Sequence, residues 1–575
     1  MWTCKPKDIL HRKDKFHAGL SFTPVYQQSF LNLIHVDEDM QYASLLLVNA
    51  NVTTLNPAEP KARAVAVKGG EILDVGTTKH MLKCATKETL MLNLDGKTVV
   101  PGFIDSHVHM LGFERSLRQL DLRTVSSIKE LQSKLKKYEK EHPRSEWILG
   151  RGWDQEKFRE KRYPSRWDLD AAVISKPVLL TRVCGHVGVA NTRALKIAGI
   201  NGKTEVSTGE IDLDNETKEP TGILREKTLD LVLRVIPKPS FDQIKEYCFH
   251  ACQEAVKAGL TAVNWLVTST DEIRAIQRLR SEGRLPLRVY LGLPVMFLDH
   301  LVELGLSTGF GDDMVRLGFV KILVDGSLGG HTAALEEPYA DNPGTRGTML
   351  YTQPKLNETV LKAHKAGLQV AVHAIGDRAV NAVLKAFEEA LEKVPNENHR
   401  HRIEHCSVLN PKLIERMKRI NAVASVQPHF AVSDFWVVSR VGEKRARWVY
   451  PFRSLVQSGI VVAAGSDCPV EPINPLAGVW AAATHPNNEE ERVTVEEALA
   501  MYTVNGAYAS FNENKVGLIK PGMLADFTVL SDDPCSVPPE RIKDITVEMV
   551  IVGGKITYKN PKSDIEAQVY ERKIE

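Results

Sequence analysis

Six side chains that could bind a metal ion or carry a proton stand at the ends of apolar, strand-like segments. The segment VVPGFIDSHVHM, residues 99–110, ends with His107 and His109. Because successive strand side chains point to opposite faces, these two imidazoles share one face. Neutral imidazoles that converge on one point suit a divalent transition metal. An H-x-H pair is nevertheless a weak signal by itself, because most such pairs are structural or exposed histidines.

Four further polar residues strengthen the metal interpretation, since each belongs to a different apolar segment. Lys321 lies inside GFVKILVDG, where an unpaired ammonium group is costly to bury. His373, His405 and Asp467 end the segments VAVH, RIEH and VVAAGSD, respectively. Each residue alone has a structural reading: a lysine that extends to solvent, a histidine bonded to backbone, or an aspartate that caps a helix. Five segments that carry such residues at their ends together favour one shared site.

These side chains can meet only if their segments are neighbouring strands of one sheet. The strand-like segments cover residues 103–109, 260–267, 287–293, 316–325, 368–374, 402–408, 422–429 and 460–467. Helical segments lie between them, as the crossovers between parallel strands require. The pattern predicts an α/β fold, a (β/α)8 TIM barrel with its active site at the carboxyl ends of the strands. An open doubly wound sheet is the alternative, but no Gly-rich dinucleotide-binding motif supports it.

Both ends of the barrel segment adjoin regions that predict a second domain. Residues 43–102 and 511–575 contain short β-branched segments separated by Gly-containing turns. We therefore expect a composite β-sandwich domain built from both ends of the chain. In that case the barrel, residues 103–510, is inserted between the two parts of the sandwich.

Two other regions stand apart from the repeated strand and helix pattern. Residues 110–240 form a long insertion after the first barrel strand. Because loops at the carboxyl ends of barrel strands build the active-site face, we expect this insertion to act as a substrate lid. Residues 1–42 are expected to be a flexible N-terminal extension.

Composition narrows the class of protein. The 575 residues, 43% hydrophobic and 25% charged, are typical of a globular chain, and 74 basic against 72 acidic residues argue against a nucleic-acid-binding surface. Eight cysteines without CxxC pairs predict reduced thiols. No apolar segment reaches the about 20 residues that a membrane span needs. We expect a cytoplasmic location, with organelle targeting by the N-terminal segment as the open alternative.

The motifs around the polar residues resemble the amidohydrolase superfamily. They are most similar to its YtcJ-like branch, amidohydrolase family 3, which includes N-substituted formamide deformylases. The resemblance is carried in the barrel by VKILVDGSLGGHTAAL, VAVHAIGDRAVNAVL, HRIEHC and GSDCPVEPINP, and in the insertion by GRGWDQEKF, PSRWDLDAAV, GHVGVANTRALKIAGI and EPTGILRE. It extends from about residue 43 to residue 560. It implies a barrel with a composite sandwich, which the strand pattern predicts independently.

The resemblance also implies a metal site with one or two divalent ions. Its ligands would be His107, His109 and Asp467 for one ion, His373 and His405 for a second, and carboxylated Lys321 between both. Carboxylation would convert a buried cation into an anion that the ions neutralise. Zinc is the first choice, with iron and manganese as alternatives. Such an ion lowers the pKa of bound water towards 7, and Asp467 would shuttle the proton to the leaving nitrogen.

Substrate contacts are expected in the insertion and in the loops that follow the strands. The candidates are Trp153 and Asp154 in GRGWDQ, His186 in CGHVG, and His331 shortly after Lys321. A packing role for Trp153 is as compatible with the sequence as a binding role. Glu404 precedes His405, and strand alternation predicts that it points out of the barrel if His405 points in.

The leading functional hypothesis is a hydrolase of carbon–nitrogen bonds other than peptide bonds, acting on a small amide, formamide or related compound. A lactonase or an aminohydrolase (deaminase) would use the same metal site. A non-catalytic binding or scaffold protein is an alternative from another class, although retention of all six candidate ligands argues against it. The expected partner is a small molecule rather than nucleic acid or a membrane, and a homodimer is left open.

Overall fold

The computed structural model describes residues 42–143, 145–182, 187–206 and 210–570. The described residues from Ala43 onward belong to one compact unit. The predicted N-terminal extension lies outside the described residues except for Tyr42. Within the described ranges, no helix is both long and apolar enough to cross a membrane.

Eight parallel strands form the central sheet, and each pairs with the next one along the chain. They are β1 Phe103–Val108, β2 Leu260–Leu266, β3 Arg288–Pro294, β4 Val315–Leu323, β5 Gln369–Ala374, β6 Arg402–His405, β7 Val423–Val426 and β8 Val462–Ala464. Two backbone hydrogen bonds join the chain after β8 to β1, from the Asp467 amide to the His107 carbonyl (2.7 Å) and from the His109 amide to the Cys468 carbonyl (2.9 Å). The predicted (β/α)8 barrel is confirmed.

Helices connect the barrel strands and cover the outside of the sheet. Several begin where a side chain accepts a backbone N–H of the first turn, as Ser240, Ser269 and Asn410 do. The longer helices are Phe241–Lys257, Thr270–Ser281, Gln353–Lys365, Asp377–Lys393, Pro411–Arg419 and Pro475–Thr484. Shorter ones are Met110–Leu117, Leu298–Glu303, Phe430–Ser433, Val437–Val441, Glu443–Ala446, Phe452–Gln457, Val495–Met501 and Val504–Ala509. Their apolar faces pack on the barrel and form the main core of the protein.

Two further sheets combine strands from both ends of the chain. One has the order Ala567–Val569, Leu90–Asn93, Leu45–Val48, Ala64–Lys68 and Glu71–Gly76. The other has the order Lys555–Lys559, Val547–Val552, Phe527–Leu530, Thr98–Pro101, Asn51–Thr53 and Lys61–Ala62. Buried side chains of both sheets, including Leu47, Val67, Phe527 and Ile551, form one apolar cluster. The predicted composite sandwich is therefore confirmed.

The insertion after β1 is a folded α/β layer with its own sheet. The strand order is Glu210–Leu213, Pro220–Arg225, Val187–Ala190, Val178–Arg182, Ile148–Trp153 and Leu120–Asp121. The helices Ile128–Glu141, Arg166–Asp170 and Thr192–Ile197 lie between these strands in sequence, and Leu229–Leu233 follows the last of them. A separate apolar cluster, which includes Leu135, Trp153, Phe158 and Leu180, stabilises the layer. The long insertion is confirmed, and its role as a lid stays a prediction.

Large side chains fill the interior of the barrel below the strand ends. Leu266, Tyr290 and Phe319 form one buried cluster there. The guanidinium group of Arg402 lies 4.6 Å from the centre of the Phe319 ring. Polar groups above this layer are therefore shielded from water on their inner side, which strengthens electrostatic interactions between them.

Candidate metal centre

His107, His109 and Asp467 converge where β1 and β8 end. One carboxylate oxygen of Asp467 lies 3.4 Å from His107 Nε2 and 3.2 Å from His109 Nε2. One potential ligand atom from each residue lies within 4.8 Å of the others. His107 and Asp467 are buried, whereas His109 is partly exposed. This arrangement is a candidate metal site that opens to solvent on the side of His109.

The backbone is turned at two of the strand ends that carry candidate ligands. Asp467 has a φ of 55° and His405 has a φ of 77°. Non-glycine residues are uncommon in this left-handed region, and they persist where the surrounding structure holds them. His405 is the last residue of β6, so its turn ends the regular alternation of that strand, whereas Asp467 lies three residues after the end of β8. Both side chains lie beside His107.

Lys321, His373 and His405 lie beside the same cluster. Lys321 Nζ is 3.4 Å from His107 Nε2. The His405 ring centre is 5.0 Å from that of His107 and 4.4 Å from that of His373. The structure thus gathers all six predicted ligand residues at the carboxyl end of the barrel.

Burial decides the charge state of the imidazoles. It lowers the pKa of His107 to about 4 and that of His373 to about 4, and the nearby charge of Lys321 lowers both further. Burial also lowers the pKa of Lys321 to about 8. Both imidazoles are therefore neutral at pH 7. A neutral imidazole keeps one nitrogen lone pair, which is what a metal ligand needs.

Two features indicate how well these residues fit a divalent ion. His405 Nδ1 is buried and has no hydrogen-bond partner among the described residues, a state that is costly unless another group occupies its lone pair. His373 Nε2, in contrast, lies 2.9 Å from the Gly326 carbonyl oxygen and must donate to it when the ring is neutral. The imidazole and carboxylate donors fit a divalent transition metal. Nε2 of His373 is occupied by a backbone carbonyl, whereas Nε2 of His107 and of His109 faces the Asp467 carboxylate.

The expectation that Glu404 points out of the barrel is wrong. Glu404 is fully buried, and its Oε2 lies 2.5 Å from His107 Nδ1. Arg402, two residues earlier, shares the inner face with Glu404, as strand alternation requires. His405 follows on the left-handed backbone described above, so it also reaches the inside. Sequence alternation could not reveal this, because it assumes that the strand stays regular to its last residue.

Two buried aspartates hold the loops that carry the candidate ligands. Asp105 accepts the amide N–H groups of His107 and Ser466 (3.0 Å each) and the Ser466 hydroxyl (2.5 Å), so it links β1 to the loop after β8. Asp325 accepts the amides of Ala334 (2.8 Å) and Gly376 (2.9 Å). Burial raises the pKa of Asp105 to about 6 and that of Asp325 to about 7.

The predicted substrate-binding residues lie in varied surroundings. Trp153 is fully buried in the insertion, and its Nε1 donates to the Leu180 carbonyl at 2.9 Å. Asp154 pairs with Arg182 at 2.9 Å, and His331 Nε2 lies 3.0 Å from Asp341. His186 lies outside the described residues. A role of these four residues in substrate binding stays a prediction.

A second polar group, which the strand-end pattern does not reveal, lies near the carboxyl ends of β7 and β8. His429 Nδ1 lies 2.5 Å from Glu471 Oε2, and the Ser433 hydroxyl donates to Glu471 Oε1 at 2.5 Å. Val426 pairs with Ala464, so His429 and Asp467 each follow the paired positions by three residues. The phrase QPHF directly after β7 was the available signal, since polar residues after barrel strands build the active-site face.

Fold and site together define a class. A barrel that gathers neutral imidazoles, a lysine with a lowered pKa and an aspartate at the carboxyl ends of its strands is a metal-dependent hydrolase. The chain belongs to the amidohydrolase family. Its sequence matches the profile described as "Amidohydrolase family" over residues 91–558.

Similar proteins cover almost the whole chain. "Putative amidohydrolase YtcJ" of Bacillus subtilis (strain 168) is 34% identical over 516 residues, which are 87% of this chain and 96% of that protein. "N-substituted formamide deformylase" of Arthrobacter pascens is 28% identical over 544 residues, 91% of this chain and 100% of that protein. The crystal structure of an uncharacterized metal-dependent hydrolase from Pyrococcus furiosus aligns with a TM-score of 0.73 at 35% identity, covering 86% of this chain and 100% of that one.

Proposed function

We propose that the protein hydrolyses a carbon–nitrogen bond other than a peptide bond, in a small amide, formamide or related compound. The observation that carries the proposal is the Asp467 carboxylate, which lies within 3.4 Å of both His107 Nε2 and His109 Nε2. The similarity to an N-substituted formamide deformylase over 91% of the chain supports the choice of bond.

Six residues would hold the metal. We assign His107, His109 and Asp467 to a first divalent ion and His373 and His405 to a second, with Lys321 between them. Zinc is the first choice because imidazole and carboxylate donors suit it. When bound, such an ion supplies Lewis acidity and lowers the pKa of a water molecule.

Asp467 is the residue that we assign to proton transfer. Burial raises the pKa of its carboxyl group, but the hydrogen bond from His109 and the positive charge of Lys321 help to outweigh burial, so the pKa lies below its usual range. The carboxylate is therefore ionised at neutral pH and can accept a proton from the attacking water. It then delivers that proton to the leaving nitrogen, which departs as a neutral amine. The hydrogen bond from the Asp467 amide to the His107 carbonyl keeps the carboxylate in place.

We assign a carbamate to Lys321. Its lowered pKa of about 8 leaves a fraction of neutral amine at physiological pH. The amine lone pair attacks the carbon of carbon dioxide, a nitrogen–carbon bond forms while one carbon–oxygen π bond opens to an oxyanion, and the nitrogen releases one proton to water. The product is an anion. Lys321 Nζ lies 3.4 Å from His107 Nε2, and an ammonium group at this position would repel a metal cation bound to His107.

A cytoplasmic location and a homodimer stay predictions from the sequence.

A substrate screen tests the proposal. The zinc-loaded protein, prepared with bicarbonate, is assayed against N-formyl amines, other small amides, lactones and aminopyrimidines. We expect hydrolysis of N-formyl amines or amides. Activity confined to lactones or aminopyrimidines would replace the proposed bond by one of the alternatives. A protein that binds no zinc and hydrolyses none of these compounds would support the scaffold alternative.

A further inference from the structure

Glu404 contacts His107 on the ring edge opposite to Asp467. Its Oε2 lies 2.5 Å from His107 Nδ1, whereas Asp467 lies 3.4 Å from His107 Nε2. We propose that Glu404 is a positioning residue, which fixes the proton of His107 on Nδ1 and thereby sets the affinity of the site for its metal ion. The inference rests on the proposed metal site.

The hydrogen-bonding capacity of a carboxylate determines the tautomer of His107. An ionised carboxylate only accepts hydrogen bonds, so His107 Nδ1 must carry the hydrogen in this contact. In a neutral ring the lone pair then resides on Nε2. Nε2 is the atom that faces Asp467 and Lys321, 3.4 Å from each. By holding the hydrogen on Nδ1, Glu404 thus leaves the lone pair of His107 on Nε2, the nitrogen that would bind the metal.

Glu404 is itself held by two neighbours, so its position is well defined. Arg402 Nε donates to Glu404 Oε1 at 2.8 Å, and the Ser425 hydroxyl donates to Oε2 at 2.7 Å. Arg402 Nη2 also donates to the Ser106 carbonyl at 2.6 Å, which ties this network to the residue next to His107. Arg402 and Glu404 are both fully buried, so the pair balances its charge internally.

Among the described residues, a carboxylate contact of this kind distinguishes His107 from His373 and His405. His405 Nδ1 has no hydrogen-bond partner there. His373 Nε2 bonds to the Gly326 carbonyl at 2.9 Å, and the Asp325 carboxylate is farther away at 3.4 Å. A carboxylate behind a ligating histidine orients the ring and raises its basicity. Its effect should therefore fall on the ion held by His107.

The test uses the full-length chain with Glu404→Gln. Glutamine keeps the size of the side chain, but its amide can also donate to Nδ1, which allows the unsuitable tautomer. Zinc affinity is measured by competition with a chelator, and the absorption spectrum of the cobalt-loaded protein reports the geometry around the ion. We expect zinc affinity to fall by about 10- to 100-fold, as for other outer residues of metal sites, and the cobalt spectrum to change.

Glu272→Gln is the matched control. Glu272 is also a fully buried carboxylate in the barrel, and it accepts Trp265 Nε1 at 3.0 Å and the Thr268 amide at 2.8 Å. We expect this control to lose stability but to keep the zinc affinity and the cobalt spectrum of the wild type. Ser425→Ala, which removes one hydrogen bond to Glu404, replaces Glu404→Gln if the latter does not fold, and we expect a smaller loss of affinity in the same direction.

Each outcome bears on one claim. Unchanged zinc affinity and an unchanged cobalt spectrum in Glu404→Gln would overturn the positioning role and leave the proposed function intact. An equal loss of affinity in Glu404→Gln and Glu272→Gln would reduce Glu404 to a structural residue and also overturn the inference. A wild-type protein that binds neither metal would overturn both the proposed function and the inference.

Discussion

The chain contains two pairs of histidines with the same spacing, and they lie at opposite ends of the barrel. His107-Val-His109 ends β1, whereas His399-Arg-His401 directly precedes β6. In the first pair both Nε2 atoms face one carboxylate, that of Asp467. From their spacing alone, both pairs would be equally good candidates for binding a metal ion.

The second pair is bound entirely by protein groups. His399 Nδ1 accepts the His401 amide at 2.8 Å, and His401 Nδ1 accepts the Val370 amide at 3.1 Å. His401 Nε2 donates to His364 Nδ1 at 2.9 Å. The Nε2 atoms of His399 and His364 donate to backbone carbonyls. Every ring nitrogen of these three histidines is therefore used, and no lone pair is left for a metal.

The comparison shows what separates a metal-binding pair from a structural one. The first pair stands at the carboxyl end of a barrel strand, where active sites form, and the second at the amino end, where residues serve stability. The first pair should therefore control metal binding and turnover, and the second should control folding. Substitutions in each pair can break or sharpen this division.

The largest effect on turnover is expected from substitution of Asp467, whose carboxylate faces the first pair and not the second. Asp467→Asn should lower kcat by about 10²- to 10⁴-fold, because asparagine cannot accept the proton from water. The variant should keep its fold and much of its metal. Steady-state kinetics on a substrate found in the screen, with circular dichroism and metal analysis, measures this. Near-normal turnover would refute the proton shuttle, and Asp533→Asn in the sandwich serves as the control for a lost carboxylate.

The same substitution in each pair should affect metal binding unequally. His109→Asn removes a proposed ligand, so zinc affinity should fall by more than the roughly 100-fold that loss of an outer residue costs. His399→Asn should leave zinc affinity unchanged, because the nitrogens of His399 bond to the protein. Chelator competition on both variants measures the difference. Equal losses in the two variants would contradict the division.

Stability should respond in the reverse order. His401→Asn leaves the Val370 amide and His364 Nδ1 without their partner in a buried setting, which costs about 1–3 kcal/mol for each unsatisfied group. His109 is partly exposed, so in the metal-free protein His109→Asn should change the free energy of unfolding by only about 0.5 kcal/mol. Urea denaturation of both metal-free variants provides the values. A larger loss in His109→Asn would be the contrary result.

The smallest effect is expected in the pH dependence of stability. Burial lowers the pKa of His399 and of His401 below the ordinary value of 6.5, so the unfolded chain binds protons that the folded chain does not. The contribution of the two neutral histidines to the free energy of unfolding is then fully present above pH 6.5. It falls as the pH decreases below 6.5, by up to about 1.4 kcal/mol per pH unit for each histidine. His401→Gln should make this slope shallower. Urea titrations between pH 7.5 and 5.5 test it, and an unchanged slope would count against a neutral buried His401.

The sequence predicts the barrel well because its strands are apolar segments bounded by helix signals. It also predicts that His107, Lys321, His373, His405 and Asp467 gather, since the carboxyl ends of parallel strands meet at one edge. It does not predict Glu404, because the left-handed backbone of His405 breaks the alternation on which that expectation depends.

The difference between the two histidine pairs is also hidden in the sequence. The groups that satisfy His401 come from Val370 and His364, which lie 31 and 37 residues away. No local pattern reveals such partners, since the packing of distant elements brings them together. The insertion is a similar case: its length is visible in the sequence, but its six-stranded sheet depends on pairing between distant segments.

The most direct test of the central claim is anomalous diffraction at the zinc absorption edge from crystals of the zinc-loaded protein. We predict an anomalous peak within bonding distance of His107 Nε2, His109 Nε2 and the Asp467 carboxylate, and no peak beside His399 and His401. A peak at the second pair, or a zinc-loaded crystal without a peak at the first, would contradict the account.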